Sequence, residues 1–276
     1  MNETVLLALD TSTEYCSVAL LCASATDSAA DHDASAAAAG ARVWTRHEAT
    51  GAVSSTRLLP AIGELFAEAG LALADCDAIA FGAGPGSFTG LRTATGVAQG
   101  LAFGLTVPVV PVGTLLVCAE SARMRDPAAT RVLVALDARM DEIYWADYAW
   151  DAATGDWRAL RAAALDAPAG LVAPDEPFTL AGNAAAAFGE RLDAASHARV
   201  VDGEALPHAL PLAWAALRAF RAGRVVPADQ AAPEYVRDKV AQTTAERLAA
   251  KAAQKPVANA QAATGVTGAS AGEGRR

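Results

Sequence analysis

Lysine is almost missing from this chain. Of 276 residues only Lys239, Lys251 and Lys255 are lysines, all towards the C-terminal end. The body therefore offers none for a phosphate loop or a Schiff base, and no Gly-Lys pair occurs, which excludes a Walker A loop. Histidine is scarce too. His32, His47, His197 and His208 show no i, i+4 pairing and no cysteine or carboxylate at ligand spacing. His47-Glu48 does not begin H-E-x-x-H, because position 51 is Gly. Metal-dependent and histidine-based catalysis are thus disfavoured. The four cysteines, Cys16, Cys22, Cys76 and Cys118, form no C-x-x-C and read as buried free thiols of a reducing compartment. No apolar run reaches the roughly 18 residues of a membrane span. The most apolar-looking candidate, Val107 to Val112, is broken by Pro108 and Pro111, and the N-terminal residues carry no positive charge expected of a secretory signal.

What is present is a core-forming composition, 53% hydrophobic and 19% charged, with a net charge of −9. An acidic surface repels phosphate backbones, so nucleic acid is not expected to bind this chain by itself. Two segments are of low complexity. Residues 24–41 are half alanine and read as an insertion between strands, and residues 252–276 read as a disordered tail, preceded by a short helix over 244–253. Val5 to Leu9 is a buried strand ending in Asp10-Thr11-Ser12-Thr13, and Cys16 to Cys22 and Ala41 to His47 are further strands. Leu58, Leu59, Ile62, Leu65 and Phe66 recur at helical spacing, with Pro60 expected in the first turn or at a kink. A strand over 77–82, a helix over 87–104, a strand over 107–112, a helix over 113–125, strands over 131–136 and 143–149, a strand over 178–181 and a helix over 206–221 complete the pattern. This alternation predicts two α/β lobes. The expected division is residues 1–106, then 107–205, with 206–222 packing back on the first lobe.

The most informative stretch is Gly84-Pro85-Gly86-Ser87-Phe88-Thr89-Gly90-Leu91-Arg92. A glycine-rich turn between strand and helix exposes backbone N–H groups at a positive helix end. Thr89 stands where G-x-G-x-x-G needs glycine, and also where the second glycine of G-x-S-x-G belongs. A tight turn with Ser87 as N-cap serves equally well. Phe88, Leu91, Thr95 and Ala98 share one face of the following helix, whose small residues suit either core packing or a subunit interface. We expect that face, Ser87 and Leu58, Ile62 and Phe66 to form an association surface. Asp10, Thr11 and Ser12 after the first strand, and Asp137 and Arg139 in the later hairpin turn, are candidates for contacting nucleotide phosphate and Mg²⁺, or else plain turn residues.

LLALDTSTEYCSVALL, FGAGPGSFTGLRTATGVAQGLAFG, VPVVPVGTLL, VLVALDARMDEIYWADY and APEYVRDKVA together resemble the TsaB (YeaZ) family over about residues 4–240. The resemblance implies an α/β fold of the two-lobed actin/Hsp70-like ATPase (ASKHA) type in reduced form. It also implies a cytoplasmic dimerisation subunit of the bacterial tRNA threonylcarbamoyladenosine complex. In the related catalytic subunit TsaD an H-x-x-x-H pair binds metal, whereas the corresponding helix here reads Ser54-Ser55-Thr56-Arg57-Leu58-Leu59-Pro60. The family therefore implies a pseudo-enzyme with no metal and no intrinsic cofactor. It would partner TsaD and the ATPase TsaE, form a homodimer when alone, meet tRNA only through the complex, and leave ATP or ADP to the complex interface. A metalloprotease would require the missing ligands. An independent ATPase would require phosphate-cradling glycines after the first strand.

Overall fold

A computed structural model describes residues 3–24 and 40–237. Most of the 24–41 insertion, the helix expected over 244–253 and the 252–276 tail lie outside the described residues. The described residues up to Val236 form one compact unit.

The first sheet grows from β1 (Glu3–Asp10), whose continuous apolar run suits a strand covered on both faces. β2 (Tyr15–Ser24) and β3 (Arg42–Ala49) extend it antiparallel on one side. β4 (Ala78–Gly84) and β5 (Val109–Gly113) extend it parallel on the other, giving the order β3-β2-β1-β4-β5. The second sheet contains β6 (Arg131–Asp137), β7 (Ile143–Asp151), β8 (Asp156–Asp166), β9 (Thr179–Ala181) and β10 (Val200–Asp202). Read from β8 its order is β8-β7-β6-β9-β10, again two antiparallel neighbours on one side and two parallel on the other. The two sheets share one plan without any repeat in the sequence.

The helices cover these sheets. α1 (Ser54–Ala69) turns Leu58, Ile62, Leu65 and Phe66 inward, while Arg57 forks onto Glu48 and Glu64 outside. Pro60 lies in the second turn of α1 rather than the first. α2 (Phe88–Leu105) connects β4 to β5 as a crossover, with the Ser87 hydroxyl capping its first turn by accepting from Gly90 N–H. β5 thus belongs to the first sheet, and the boundary expected near Thr106 falls inside this β–α–β unit. α3 (Thr114–Arg125) follows β5, α4 (Ala184–Phe188) is short, and α5 (Ala209–Arg221) packs on β1, β2, β4 and β5 of the first sheet. β8 is an 11-residue strand that the sequence reading missed, since DWRALRAAALD shows no apolar alternation.

Phe81 is fully buried among Leu7, Leu9, Ile79 and the α1 side chains. Phe81→Ala should cost about 3–5 kcal/mol through lost transfer energy and the cavity left behind. Urea unfolding should show the midpoint falling with little change in slope.

Candidate functional site

A cleft of about 550 Å³ is bounded by loops of both sheets. One wall is Thr11, Ser12, Thr13 and Glu14 after β1, with Ser54 and Ser55 of α1 and the segment Pro85–Thr93 beside them. The other is Leu136, Asp137, Ala138, Arg139, Tyr144, Asn183, Leu206 and Pro207. Of the residues expected to contact nucleotide, Thr11, Ser12, Asp137 and Arg139 line this cleft and Asp10 does not; Pro85, Gly86, Thr89 and Gly90 of the glycine turn line it as well, as does Ser87, which was expected at an association surface. Tyr144, Asn183 and Leu206 carried no signal, because they reach the cleft from separate stretches of chain.

The first wall is shaped by close backbone contact. A Cβ on Gly90 would lie 1.8 Å from the Thr11 carbonyl oxygen, and one on Gly86 would lie 2.7 Å from that of Ser12. Only glycine admits this approach. The polar groups then satisfy each other. Thr11 Oγ1 donates to Gly90 O at 2.6 Å, Ser87 N–H donates to Ser12 O at 2.7 Å, and the Thr114 hydroxyl donates to Pro85 O. The Ser12 hydroxyl donates to Asp10 Oδ1 at 2.8 Å, and the Ser12 N–H to the same oxygen at 3.0 Å.

Asp10 itself is 1% exposed and does not line the cleft. Its Oδ2 has no hydrogen-bond partner and presses on Gly82, where a Cβ would come within 2.1 Å. Burial pushes its pKa up to about 6, against the lowering effect of the Ser12 hydrogen bonds. Its charge in turn bears on the buried Cys16 and Cys118 thiols, both of which burial pushes up. A Mg²⁺–phosphate group does not fit these residues. The carboxylate is sealed under Gly82, the Thr11 and Ser12 hydroxyls and the Ser87 and Gly90 amides are engaged by protein, and Arg139 is the one basic residue in the lining.

On the second wall Asp137 receives Arg139 N–H and guanidinium donors, and its own N–H donates to Asn183 Oδ1. Arg139, Met140 and Asp141 all have positive φ, and Arg191 forks onto Asp141 to hold the loop. Gly84 stands behind the cleft, where Glu234 N–H donates to Ala83 O. Arg92 lies over the Phe88 ring and donates to Tyr235 Oη.

The residues expected at an association surface are mostly inside. Leu58, Ile62, Phe66, Leu91, Thr95 and Ala98 are buried, because the sheet itself takes up the apolar stripes of α1 and α2. Ser87 and Phe88 remain outside. The outer faces of the same helices carry Leu59, Phe103 at 80% exposure, and Gly63, Gly96, Gly100 and Gly104, around whose Cβ positions nothing lies within 4 Å.

His47 stacks on Tyr15 and lies 5.4 Å from His208, away from the cleft. Burial lowers both, His208 to about 4. Among the described residues no group of three His, Cys, Asp or Glu side chains is placed to hold a metal ion, and no helix is long and apolar enough to cross a membrane. The four cysteines are free and buried.

Two sheets of one plan around a cleft define an α/β protein of the two-lobed actin/Hsp70-like ATPase class, in reduced form. A family model described as TsaD, tRNA N6-adenosine threonylcarbamoyltransferase, matches residues 48–271. The tRNA threonylcarbamoyladenosine biosynthesis protein TsaB of Escherichia coli K12 is 35% identical over 242 residues, 86% of this chain and 96% of that protein. TsaB of Haemophilus influenzae is 43% identical over 145 residues, 52% of this chain and 54% of that one. The solved structure of YeaZ from Pseudomonas aeruginosa superposes with a TM-score of 0.72 at 40% identity, covering 84% of this chain and 99% of that one. The chain belongs to the TsaB (YeaZ) family.

The raised pKa of Asp10 makes a signed prediction. Its acid form is favoured in the folded state, so its contribution to stability is full below pH 4 and is lost as pH rises through about 6. Asp10→Asn mimics the acid form. The variant should be more stable than the native protein at pH 8, by roughly 3 kcal/mol, and equal to it near pH 4. Thermal unfolding across pH 4–8 checks this, and parallel curves would refute it.

Proposed function

We propose that this chain is the non-catalytic scaffold subunit of a bacterial tRNA-modifying complex. It supports transfer of a threonylcarbamoyl group to N6 of adenosine 37 in tRNAs that read codons beginning with A. The chemistry belongs to the catalytic partner TsaD, with the ATPase TsaE as a further member. tRNA and nucleotide are held by the assembled complex, in the cytoplasm, rather than by this chain alone.

The observation that carries this reading is the closed first wall of the cleft. Of the groups that a twin-lobed ATPase would turn towards metal and phosphate, the Thr11 hydroxyl is here engaged by Gly90 O at the start of α2, the Ser12 hydroxyl by Asp10, and the Asp10 carboxylate is buried behind them. The family membership and the names of the relatives support the pathway. The outer faces of α1 and α2 support the partnering role. Three exposed glycines at four-residue spacing on α2 allow a neighbouring helix to approach closely, and Leu59 and Phe103 supply apolar area beside them. TsaD occupies this surface in the complex, and a second copy occupies it when the chain is alone.

Gly100→Gln separates this role from folding. Among the described residues nothing lies within 4 Å of a Cβ placed there, and replacing a helix-interior glycine gains up to about 1 kcal/mol. Melting temperature should hold or rise, while gel filtration should show a monomer. In a reconstitution with TsaD, TsaE and the threonylcarbamoyl-adenylate synthase, modified adenosine is scored by mass spectrometry. Omitting this chain, or supplying Gly100→Gln, should lower the yield at least tenfold. Modification by this chain alone, or full yield without it, would contradict the scaffold reading.

A further inference from the structure

The two sheets meet through a pair of helices. α5 lies on the first sheet, with Leu212, Ala213, Trp214, Ala216 and Leu217 among Leu6, Ala8, Ala80 and Val110. α3 faces the second, with Leu115, Cys118, Ala119 and Ala122 among Val132, Val134, Ala146 and Trp157. The apolar part of the α3–α5 contact comes from small or aliphatic groups such as Val117, Ala213 and Ala216. Such contacts are non-directional and tolerate sliding of one helix along the other.

Among the described residues, the directional contacts across this boundary centre on one buried pair. Arg218 of α5 forks onto Glu120 of α3, Nη1 to Oε1 at 2.9 Å and Nη2 to Oε2 at 2.5 Å, with the two side chains 6% and 2% exposed. Glu120 Oε2 also accepts Trp157 Nε1–H of β8 at 2.6 Å. Arg218 Nε donates to Asp156 of β8 at 3.2 Å, and Arg224, just beyond α5, donates to the other oxygen of Asp156. One guanidinium on the first-sheet side is thus tied to a helix and to an edge strand on the second-sheet side. A buried pair of this kind contributes little net stability against an apolar replacement, but its planar fork admits a single geometry.

We propose that Arg218 and Glu120 form a register pin between α5 and α3, which fixes the angle between the two sheets and holds the cleft at one width. The chain is then a rigid body, whereas a twin-lobed enzyme would open and close. The cleft walls named above hang from opposite sides of the pin, so slippage of α5 along α3 would change their separation directly.

The test is a distance distribution across the cleft in the full chain. Spin labels are placed at Thr89→Cys and Arg139→Cys, one on each wall, while the four native cysteines are buried from the reagent. Pulsed dipolar spectroscopy should give a single narrow peak in the otherwise native protein. Arg218→Lys keeps the charge and loses the fork, and should at least double the width of that peak. Glu120→Gln with Arg218→Met removes both charges together, so that no unpaired ion remains to unfold the protein, and the new amide oxygen can still accept Trp157 Nε1–H. This double variant should melt within a few degrees of the native protein, show native near-ultraviolet circular dichroism, and still give at least a twofold broader peak. Broadening in the folded double variant supports the pin. A native width there overturns it, as would several peaks in the native protein.

Discussion

The structure depends on one close approach, that of the glycines opening α2 to the carbonyls of Thr11 and Ser12. No other residue type fits there, and the contact settles three matters at once. It seats α2 against the first sheet, it engages the hydroxyls and amides of both segments, and it leaves Asp10 behind them in the protein interior. The cost is a carboxylate whose second oxygen has no partner, and burial holds that group closer to its acid form.

Around that contact the fold separates inner and outer work. The sheet faces of α1 and α2 supply core, and their outer faces carry glycine, leucine and phenylalanine that stay exposed among the described residues. The helix pair α3–α5 joins two sheets of the same plan and carries the buried Arg218–Glu120 fork. An open helical face beside a closed turn suits the scaffold role proposed above.

Much of this was legible in the sequence, for local reasons. The run Val5–Leu9, the glycine turn and Ser87 as N-cap placed β1, β4 and α2, because each is written in neighbouring residues. Other features depend on distant pairing. β9 joins β6 across more than forty residues, so neither the shared plan nor the arrival of Asn183 and Tyr144 at the cleft has a local signature. β8 escaped because its alanines and arginines do not alternate. Most of the residues expected at an association surface are buried instead. Periodicity reports which side of a helix is apolar, and the first-sheet core claimed Leu58, Leu91 and Ala98, leaving Leu59, Gly100 and Phe103 outside. That Thr11 and Ser12 stand against the glycine turn at the first wall is a matter of backbone distance, which spacing does not encode.

The central claim is that the closed wall leaves the isolated chain without a nucleotide site of its own. Anisotropy of a fluorescent ATP analogue in the presence of Mg²⁺, titrated with the purified chain to millimolar concentration, tests it most directly. The account predicts no saturable rise. Saturable binding in the micromolar range that disappears in Asp10→Ala, with the variant still folded, would contradict it.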